Sequence, residues 1–154
     1  MTDNKIATYF LGLFLCMGVS ACDDDTFDTS PSQTLTFSCD TLRLDTLFST
    51  VPSSTKSFWA FNKSGDGIRC TSVRQERGNQ SGFRVNVDGA YLGPAAGYAV
   101  SDIELRKKDS IRIFVEATLP QAYKQKPTLI EDNLVFTLAN GKQQKVSLNA
   151  YAWD

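Results

Sequence analysis

The chain has 154 residues, of which 42% are hydrophobic and 21% are charged. This length and composition predict one globular domain and exclude a disordered chain. The 16 basic residues are balanced by 17 acidic ones, so there is no positive excess to neutralise phosphates, which argues against nucleic-acid binding. The sequence contains no histidine, which excludes Ser-His-Asp and Cys-His catalytic sites and all imidazole metal ligands.

The first 21 residues differ from the rest of the chain. A short segment ending at Lys5 precedes an almost wholly apolar run, residues 6–19. A helix of about 14 residues is too short to cross a hydrocarbon core of about 30 Å. The length of the run is instead typical of the apolar region of a secretory signal peptide. We therefore expect residues 1–21 to be a signal peptide.

The apolar run ends in Val19-Ser20-Ala21-Cys22. This order of an aliphatic residue, two small residues and a cysteine resembles the bacterial lipobox, whose cysteine is acylated and becomes the first mature residue. The resemblance implies that Cys22 carries the lipid, and more than one acyl chain gives stable membrane anchoring. The alternative is ordinary signal cleavage that leaves Cys22 as a free thiol.

An acidic run of Asp23, Asp24 and Asp25 follows the lipobox cysteine. It is typical of a solvated linker, and it also resembles the surface-export signal of lipoproteins in the Bacteroidota. That resemblance implies an outer-membrane lipoprotein exposed at the cell surface, with a periplasm-facing anchor as the alternative. Residues 22–34 are rich in Ser, Thr, Asp and Pro, so we expect them to form a lipidated flexible tether.

From Leu35 onward the dominant hydrophobic period is two, which is typical of strands with one buried face. Turn residues separate the alternating runs, and Asn140-Gly141 is a strong hairpin signal. The spacing predicts an all-β domain over residues 35–154. We expect a single immunoglobulin-like antiparallel β-sandwich of about seven or eight strands.

The order of these segments resembles the Hydin-like immunoglobulin modules. Residues 55–62, Ile68, Phe83-Arg84-Val85 and residues 111–115, which follow a polar turn, carry the resemblance. Residues 42–62 also resemble the N-terminal domain of Bacteroidota lipoproteins. The resemblance implies an immunoglobulin-type module on a lipoprotein.

No group of residues in the sequence indicates an active site. Glu131 and Asp132 are adjacent on a predicted strand and therefore point to opposite faces. Asp102 and Glu104 share a face, which we expect to be solvated. We therefore predict no catalytic residues, no metal site and no cofactor, and a small hydrolase is only a remote alternative.

The strand Phe58-Trp59-Ala60-Phe61 carries aromatic residues on both of its faces. The resemblance favours Phe58 and Ala60 facing the core, which places Trp59 and Phe61 outside. An outward Trp-Phe pair suits sugar rings, a partner strand or a neighbouring domain. Tyr91 and Tyr98 lie in a loop region that could add a rim. The alternative is that loop residues cover the pair.

Cys39 and Cys70 both lie in strand-like segments of the predicted mature domain. An exported protein folds in an oxidising compartment, where two cysteines can form a disulfide. Whether the pair is adjacent does not follow from the sequence, and two buried free thiols are the alternative.

Three short motifs concern modification. Asp40-Thr41-Leu42, Asp45-Thr46-Leu47 and Asp109-Ser110-Ile111 resemble the Asp-Ser/Thr-aliphatic acceptor of Bacteroidota O-glycosylation. The resemblance implies Thr41, Thr46 and Ser110 as candidate glycosylation sites.

Together these patterns predict a membrane-anchored lipoprotein that presents a non-catalytic binding or structural module at the cell surface. Its expected partners are the membrane, through the lipid anchor, and a glycan or an outer-membrane protein, but not nucleic acid. The alternative is an accessory subunit of an outer-membrane assembly that captures glycans or resembles a fimbria.

The lipobox predicts the effect of removing its cysteine. Cys22→Ala should convert the membrane-bound protein into a soluble periplasmic species, because the thiol that accepts the lipid is gone. Cys16→Ala is the matched control and should leave membrane retention unchanged, since Cys16 is removed with the signal peptide. Cell fractionation of both variants measures the outcome, and membrane retention of Cys22→Ala would refute the lipobox.

Overall fold

The computed structural model describes residues 26–119 and 127–153. The signal peptide, Cys22 and the run Asp23 to Asp25 lie outside these residues. Within them, two β-sheets pack face to face and enclose one hydrophobic core. No helix among the described residues is long and apolar enough to cross a membrane.

The described residues contain eleven strands. Strands that are adjacent in the two orders given next are hydrogen-bonded to each other. Sheet one contains, in order, β1 (Thr36–Phe37), β4 (Lys56–Phe61), β9 (Ser110–Ala117), β6 (Phe83–Val87) and β7 (Ala90–Tyr91). Sheet two contains β2 (Thr41–Arg43), β11 (Gln143–Trp153), β10 (Thr128–Leu138), β5 (Ile68–Gln75) and β8 (Ala99–Leu105), while β3 (Leu47–Phe48) also pairs with β11. Two single-turn 3-10 helices, Gly78–Gln80 and Pro94–Ala96, lie in the connections.

The predicted all-β immunoglobulin-like sandwich is confirmed, and the period-two pattern explains its two layers. On β4, Phe58 and Ala60 are buried, while Trp59 between them is exposed. The expected number of strands was too low, because β1, β2, β3 and β7 have only two or three residues each. Segments that short cannot show an alternating pattern in the sequence.

The N-terminal part of the chain passes from one sheet to the other. β1 pairs antiparallel with β4, whereas β2 and β3 run parallel to β11. The sequence predicts an antiparallel sandwich, but the pairings of β2 and β3 with β11 are parallel. At this crossing the Phe37 ring lies 4.8 Å from the ring of Phe136 and 6.4 Å from that of Phe58, measured between centroids. These contacts join the two sheets at the core.

A buried asparagine fixes the end of the sandwich where β4 turns into β5. The Asn62 side-chain amide donates hydrogen bonds to the carbonyls of Asp66, Leu105 and Arg106, at 2.7, 3.0 and 3.0 Å. Its Oδ1 accepts bonds from the amide and the hydroxyl of Ser64. A buried side chain with all its polar atoms satisfied specifies its surroundings closely. Asn62 thus holds the β4–β5 turn against the end of β8.

The residues expected to form a tether are in part attached to the domain. The Gly67 amide donates to the Thr26 carbonyl at 2.7 Å, and the Asp28 amide donates to the Gly67 carbonyl at 3.0 Å. The Phe27 ring lies so close over Gly67 that a Cβ there would be 2.7 Å from it. Asn140 donates from its side chain to the carbonyls of Ser30 and Gln33, at 3.0 Å each. The folded domain thus extends to Thr26 rather than beginning at Leu35.

The core position of Phe136 predicts a large loss of stability on truncation. Phe136→Ala should lower the free energy of unfolding by about 3 to 5 kcal/mol, because it leaves a cavity at a side chain with 0% exposure. Phe48 is 55% exposed, so Phe48→Ala should change it by less than about 0.5 kcal/mol. Denaturant unfolding of both variants tests the assignment, and equal effects would contradict it.

Candidate functional site

The outer surface of sheet one carries four aromatic side chains. They are Trp59 and Phe61 on β4, Phe114 on β9 and Tyr91 on β7, and together we call them the aromatic face. Tyr91 is 55% exposed, Trp59 39% and Phe114 38%, while Phe61 is half-buried. Large aromatic side chains that cluster on an otherwise polar surface mark binding sites more often than isolated ones do.

The pairing of the strands brings these residues together. Trp59 lies opposite Arg112, and both Phe114 and Tyr91 lie opposite Asn86. Tyr91 and Phe114 are therefore two strand spacings apart, about 10 Å. A shallow depression of about 500 Å³ opens between them. Its lining includes Thr55, Arg84, Asn86, Tyr91, Phe114 and Glu116.

The rings of the aromatic face contact each other and a shared cation. Trp59 and Phe61 stack with their centroids 6.4 Å apart and their planes 22° apart. The Arg112 guanidinium carbon lies 5.3 Å from the Trp59 ring centroid and 4.9 Å from that of Phe114. Cation–π contacts of this kind contribute about 0.5 to 1 kcal/mol each at exposed positions. Arg112 Nε also donates to Ser57 Oγ at 3.0 Å, so the guanidinium is held from several sides.

An ion pair forms the polar end of the depression. Arg84 Nε donates to Glu116 Oε1 at 2.9 Å, and Arg84 Nη1 donates to Thr118 Oγ1 at 2.6 Å. Both partners are about one-third exposed, so solvent screens the pair and its contribution to stability is small. The ion pair instead matters because it holds the polar groups of Arg84 and Glu116 in place next to the aromatic rings.

A glycine positions the Tyr91 ring. A Cβ atom at Gly93 would lie 2.6 Å from Cε1 of Tyr91 and 2.9 Å from Cδ1. The ring therefore packs closely against Gly93, where no larger residue fits without moving it. Tyr91 is thus an exposed side chain with a defined orientation, which lowers the entropy lost on binding.

The four residues that the sequence predicted as one binding patch do not all lie together in the structure. Trp59, Phe61 and Tyr91 belong to the aromatic face, and the described residues leave Trp59 and Tyr91 exposed. Tyr98 does not join them: it is half-buried, and its ring packs against Gly78, where a Cβ would be 3.0 Å away. The backbone of Tyr98 is left-handed, with φ of 58°, and its carbonyl accepts a bond from Gln75. These contacts hold Tyr98 at the connection after β5.

Sequence reasoning missed Phe114 and Arg112 as members of the site. Both alternate with the buried Ile111, Ile113 and Val115 on β9, so the sequence contains the signal that they face outward. What it lacks is the strand order. Only the pairing of β9 with both β4 and β6 places these side chains between Trp59 and Tyr91.

The candidate disulfide is not formed, and Cys39 and Cys70 are free thiols. The Ser147 amide donates to the Asp40 carbonyl at 3.0 Å, which fixes the residue after Cys39 at the edge of β11. Because β11 and β10 lie between that edge and β5, Asp40 and Cys70 are about 14 Å apart. Cys39 is one Cα step of about 3.8 Å from Asp40, so the cysteines are at least about 10 Å apart, beyond the roughly 7 Å that a disulfide spans.

The candidate glycosylation residues have different surroundings. Thr46 is exposed in the segment between β2 and β3, whereas Thr41 on β2 and Ser110 at the start of β9 are half-buried. Their modification remains a prediction. Of the three, Thr46 has the most accessible side chain.

The carboxylates considered as catalytic candidates have structural roles. Asp132 is buried and its Oδ1 accepts bonds from the amides of Arg77 and Asn133, while Glu131 is exposed. Glu104 pairs with Arg69 at 3.3 Å on the surface of sheet two. Within residues 26–119 and 127–153, no three Cys, Asp or Glu side chains are grouped so that they could hold a metal ion.

Comparison with known protein families and with curated proteins finds no match for this sequence. Solved structures with a similar fold include a family 123 glycoside hydrolase from Clostridium perfringens, with a TM-score of 0.50 and 8% identity. That match covers 75% of this chain but only 23% of the hydrolase. The CooA pilin subunit from enterotoxigenic Escherichia coli has a TM-score of 0.49 and 10% identity, covering 79% of this chain and 99% of the pilin.

A PapD-like domain of human CEP192 is also similar, with a TM-score of 0.48 and 9% identity. It covers 81% of this chain and 89% of that domain. At these identities the likenesses show the fold alone. The aromatic face therefore has to be interpreted from its own geometry.

The cysteines give a test of the core. Burial raises the pKa of Cys70 to about 12, and burial together with the charge of Asp40 raises that of Cys39. Since the thiolate is the reactive form, Cys70 should resist iodoacetamide in the folded protein at about pH 8. In denaturant without reductant, peptide mass spectrometry should find both thiols alkylated. A disulfide-linked pair of peptides would contradict the structure.

Proposed function

We propose that this chain is a lipid-anchored, non-catalytic β-sandwich module of the cell surface, and that its aromatic face binds a glycan. The observation that carries the proposal is the aromatic face together with the open depression at one side of it, which Tyr91 and Phe114 line. The lipid anchor and the surface location rest on the lipobox and the acidic run that follows it.

Sugar rings suit this arrangement of side chains. A pyranose has flat C–H faces that pack against aromatic rings, and its rim carries hydroxyl groups that need hydrogen-bonding partners. The depression offers both, because Tyr91 and Phe114 stand beside the polar side chains of Asn86, Arg84 and Glu116. Ligand sites generally combine apolar walls with a few fixed polar groups in this way.

The same depression does not favour hydrolysis. Glycoside hydrolysis needs two carboxyl groups about 5 to 9.5 Å apart across the substrate. Among the described residues, Glu116 is the sole carboxylate in the lining of the depression, and Arg84 pairs with it at 2.9 Å. These observations support binding without catalysis.

Strand addition at a sheet edge, as in a fimbria-like assembly, has less support. The edge strands β1 and β7 of sheet one have two residues each. Edge strand β8 of sheet two is distorted at Asp102, whose φ is 55°, and it carries the exposed charges of Asp102 and Glu104. Short, charged and irregular edges discourage pairing with another strand. A role as an accessory glycan-binding subunit would use the aromatic face instead.

The docked N-terminal residues also bear on how the face would be presented. Thr26 is hydrogen-bonded to Gly67 at the β4–β5 turn, and it follows Cys22 by four residues. Four residues span at most about 14 Å, so a lipid on Cys22 would keep this end of the sandwich near the membrane. The strands of sheet one begin or end there, which turns the aromatic face sideways toward the medium.

Two exposed tryptophans allow a controlled test. Trp59→Ala should reduce the affinity for a bound polysaccharide at least about fivefold, which corresponds to a loss of about 1 kcal/mol. Trp153 is 49% exposed on the outer surface of sheet two, so Trp153→Ala should leave the affinity unchanged. Both variants should stay folded, and Trp59→Ala should lower the melting temperature by only a few degrees, because it removes one exposed cation–π contact and one ring contact.

Affinity gel electrophoresis against a panel of soluble polysaccharides measures these effects. Equal binding by Trp59→Ala and the wild type, or equal loss in both tryptophan variants, would contradict the assignment of the face. Retention of no polysaccharide by the wild type would contradict the proposed function itself.

A further inference from the structure

The aromatic face contains a cation that lacks a carboxylate partner among the described residues. Arg84, on the same face, pairs with Glu116 at 2.9 Å, and Arg69 on sheet two pairs with Glu104 at 3.3 Å. Arg112 is exposed and forms no such ion pair with any residue that the structure describes. Its positive charge therefore stays uncompensated at the centre of the aromatic face.

The contacts of Arg112 orient it without using its full hydrogen-bonding capacity. Its Nε donates to Ser57 Oγ, and its guanidinium lies against the rings of Trp59 and Phe114. The two Nη groups have no hydrogen-bond partner in the part of the chain that the structure describes. A guanidinium presents its terminal N–H groups as a planar fork, the geometry that matches a carboxylate.

Of the two acidic residues described near Arg112, one is already paired with an arginine. Arg84 neutralises Glu116, and the Lys63 ammonium lies 5.9 Å from the Phe61 ring centroid at the other end of the face. Asp88 is the acidic residue opposite Arg112 in the strand pairing. Its amide donates to the Arg112 carbonyl at 3.1 Å, while its carboxylate forms no ion pair with the guanidinium.

We propose that the ligand of the aromatic face is an acidic polysaccharide that contains uronic acid residues. Arg112 receives a carboxylate of the polymer, while Trp59 and Phe114 pack against the sugar rings on either side. A hydrogen bond between an ionised donor and an ionised acceptor is stronger than one between neutral groups. This inference rests on the proposed function and adds the chemical class of the glycan.

The test compares polymers that differ only in the charge of their carboxyl groups. Polygalacturonate, alginate and hyaluronate are each offered to the full-length lipoprotein beside their methyl esters. The wild type should bind at least one acid form more tightly than its ester, and added salt should weaken that binding. Arg112→Gln should lower the affinity for the acid form about 10- to 100-fold and lower the affinity for the ester by a clearly smaller factor.

Matched variants separate the outcomes. Arg69→Gln removes an exposed arginine from the other sheet and should change neither affinity, whereas Arg112→Lys keeps the charge but loses the fork and should recover only part of the binding. If the acid and ester forms bind equally and Trp59→Ala weakens both, the acidic ligand is wrong and the glycan-binding function stands. If none of these polymers binds while another polysaccharide of the panel is retained, the acidic ligand alone is wrong. If no polysaccharide of the panel binds either, both proposals are wrong.

Discussion

The rest of the molecule depends on which residues of the central strand β9 face the core. Ile111, Ile113 and Val115 face the core with almost no exposure, and strand geometry then sends Arg112 and Phe114 to the surface. A shift of pairing by one residue would bury a guanidinium and expose three β-branched side chains. The same requirement that builds the core therefore also builds the aromatic face, and the two cannot change independently.

The exposed aromatic residues differ between the two sheets in their surroundings. Leu129, Tyr151, Trp153 and Phe48 form an apolar cluster at one end of sheet two, where Leu129 pairs with Tyr151 and Phe48 with Trp153. The described contacts of that cluster include no cation–π pair. On sheet one, arginine contacts the rings and a depression lies beside them. Exposed aromatic area alone is common on protein surfaces, and its combination with an oriented cation and a hollow is what indicates a ligand.

The sequence predicts local features well and strand pairing poorly. The outward direction of Trp59 follows from its position between Phe58 and Ala60, since alternation is a property of a single strand. The meeting of Tyr91 with Phe114 depends on β6 lying between β7 and β9, which no local pattern encodes. The docking of residues 26–34 was missed for a related reason. Their polar composition is typical of a tether, yet backbone bonds to Gly67 attach Thr26 and Asp28. The Asn140 side chain binds the carbonyls of Ser30 and Gln33.

Arg112 can stabilise the sheet as well as bind the carboxylate of a ligand. The two roles need different partners around its guanidinium. A cross-strand Trp–Arg pair stabilises a sheet through the ring contact alone, so its terminal N–H groups are free to bond water or a nearby acid. On the same face, the Arg84 guanidinium does bond to a nearby acid, Glu116, and also to Thr118. That Arg112 instead keeps its terminal groups unpaired beside two exposed rings favours a ligand over stability as the reason for its position. An acid group from outside the chain would complete the arrangement that Glu116 completes for Arg84.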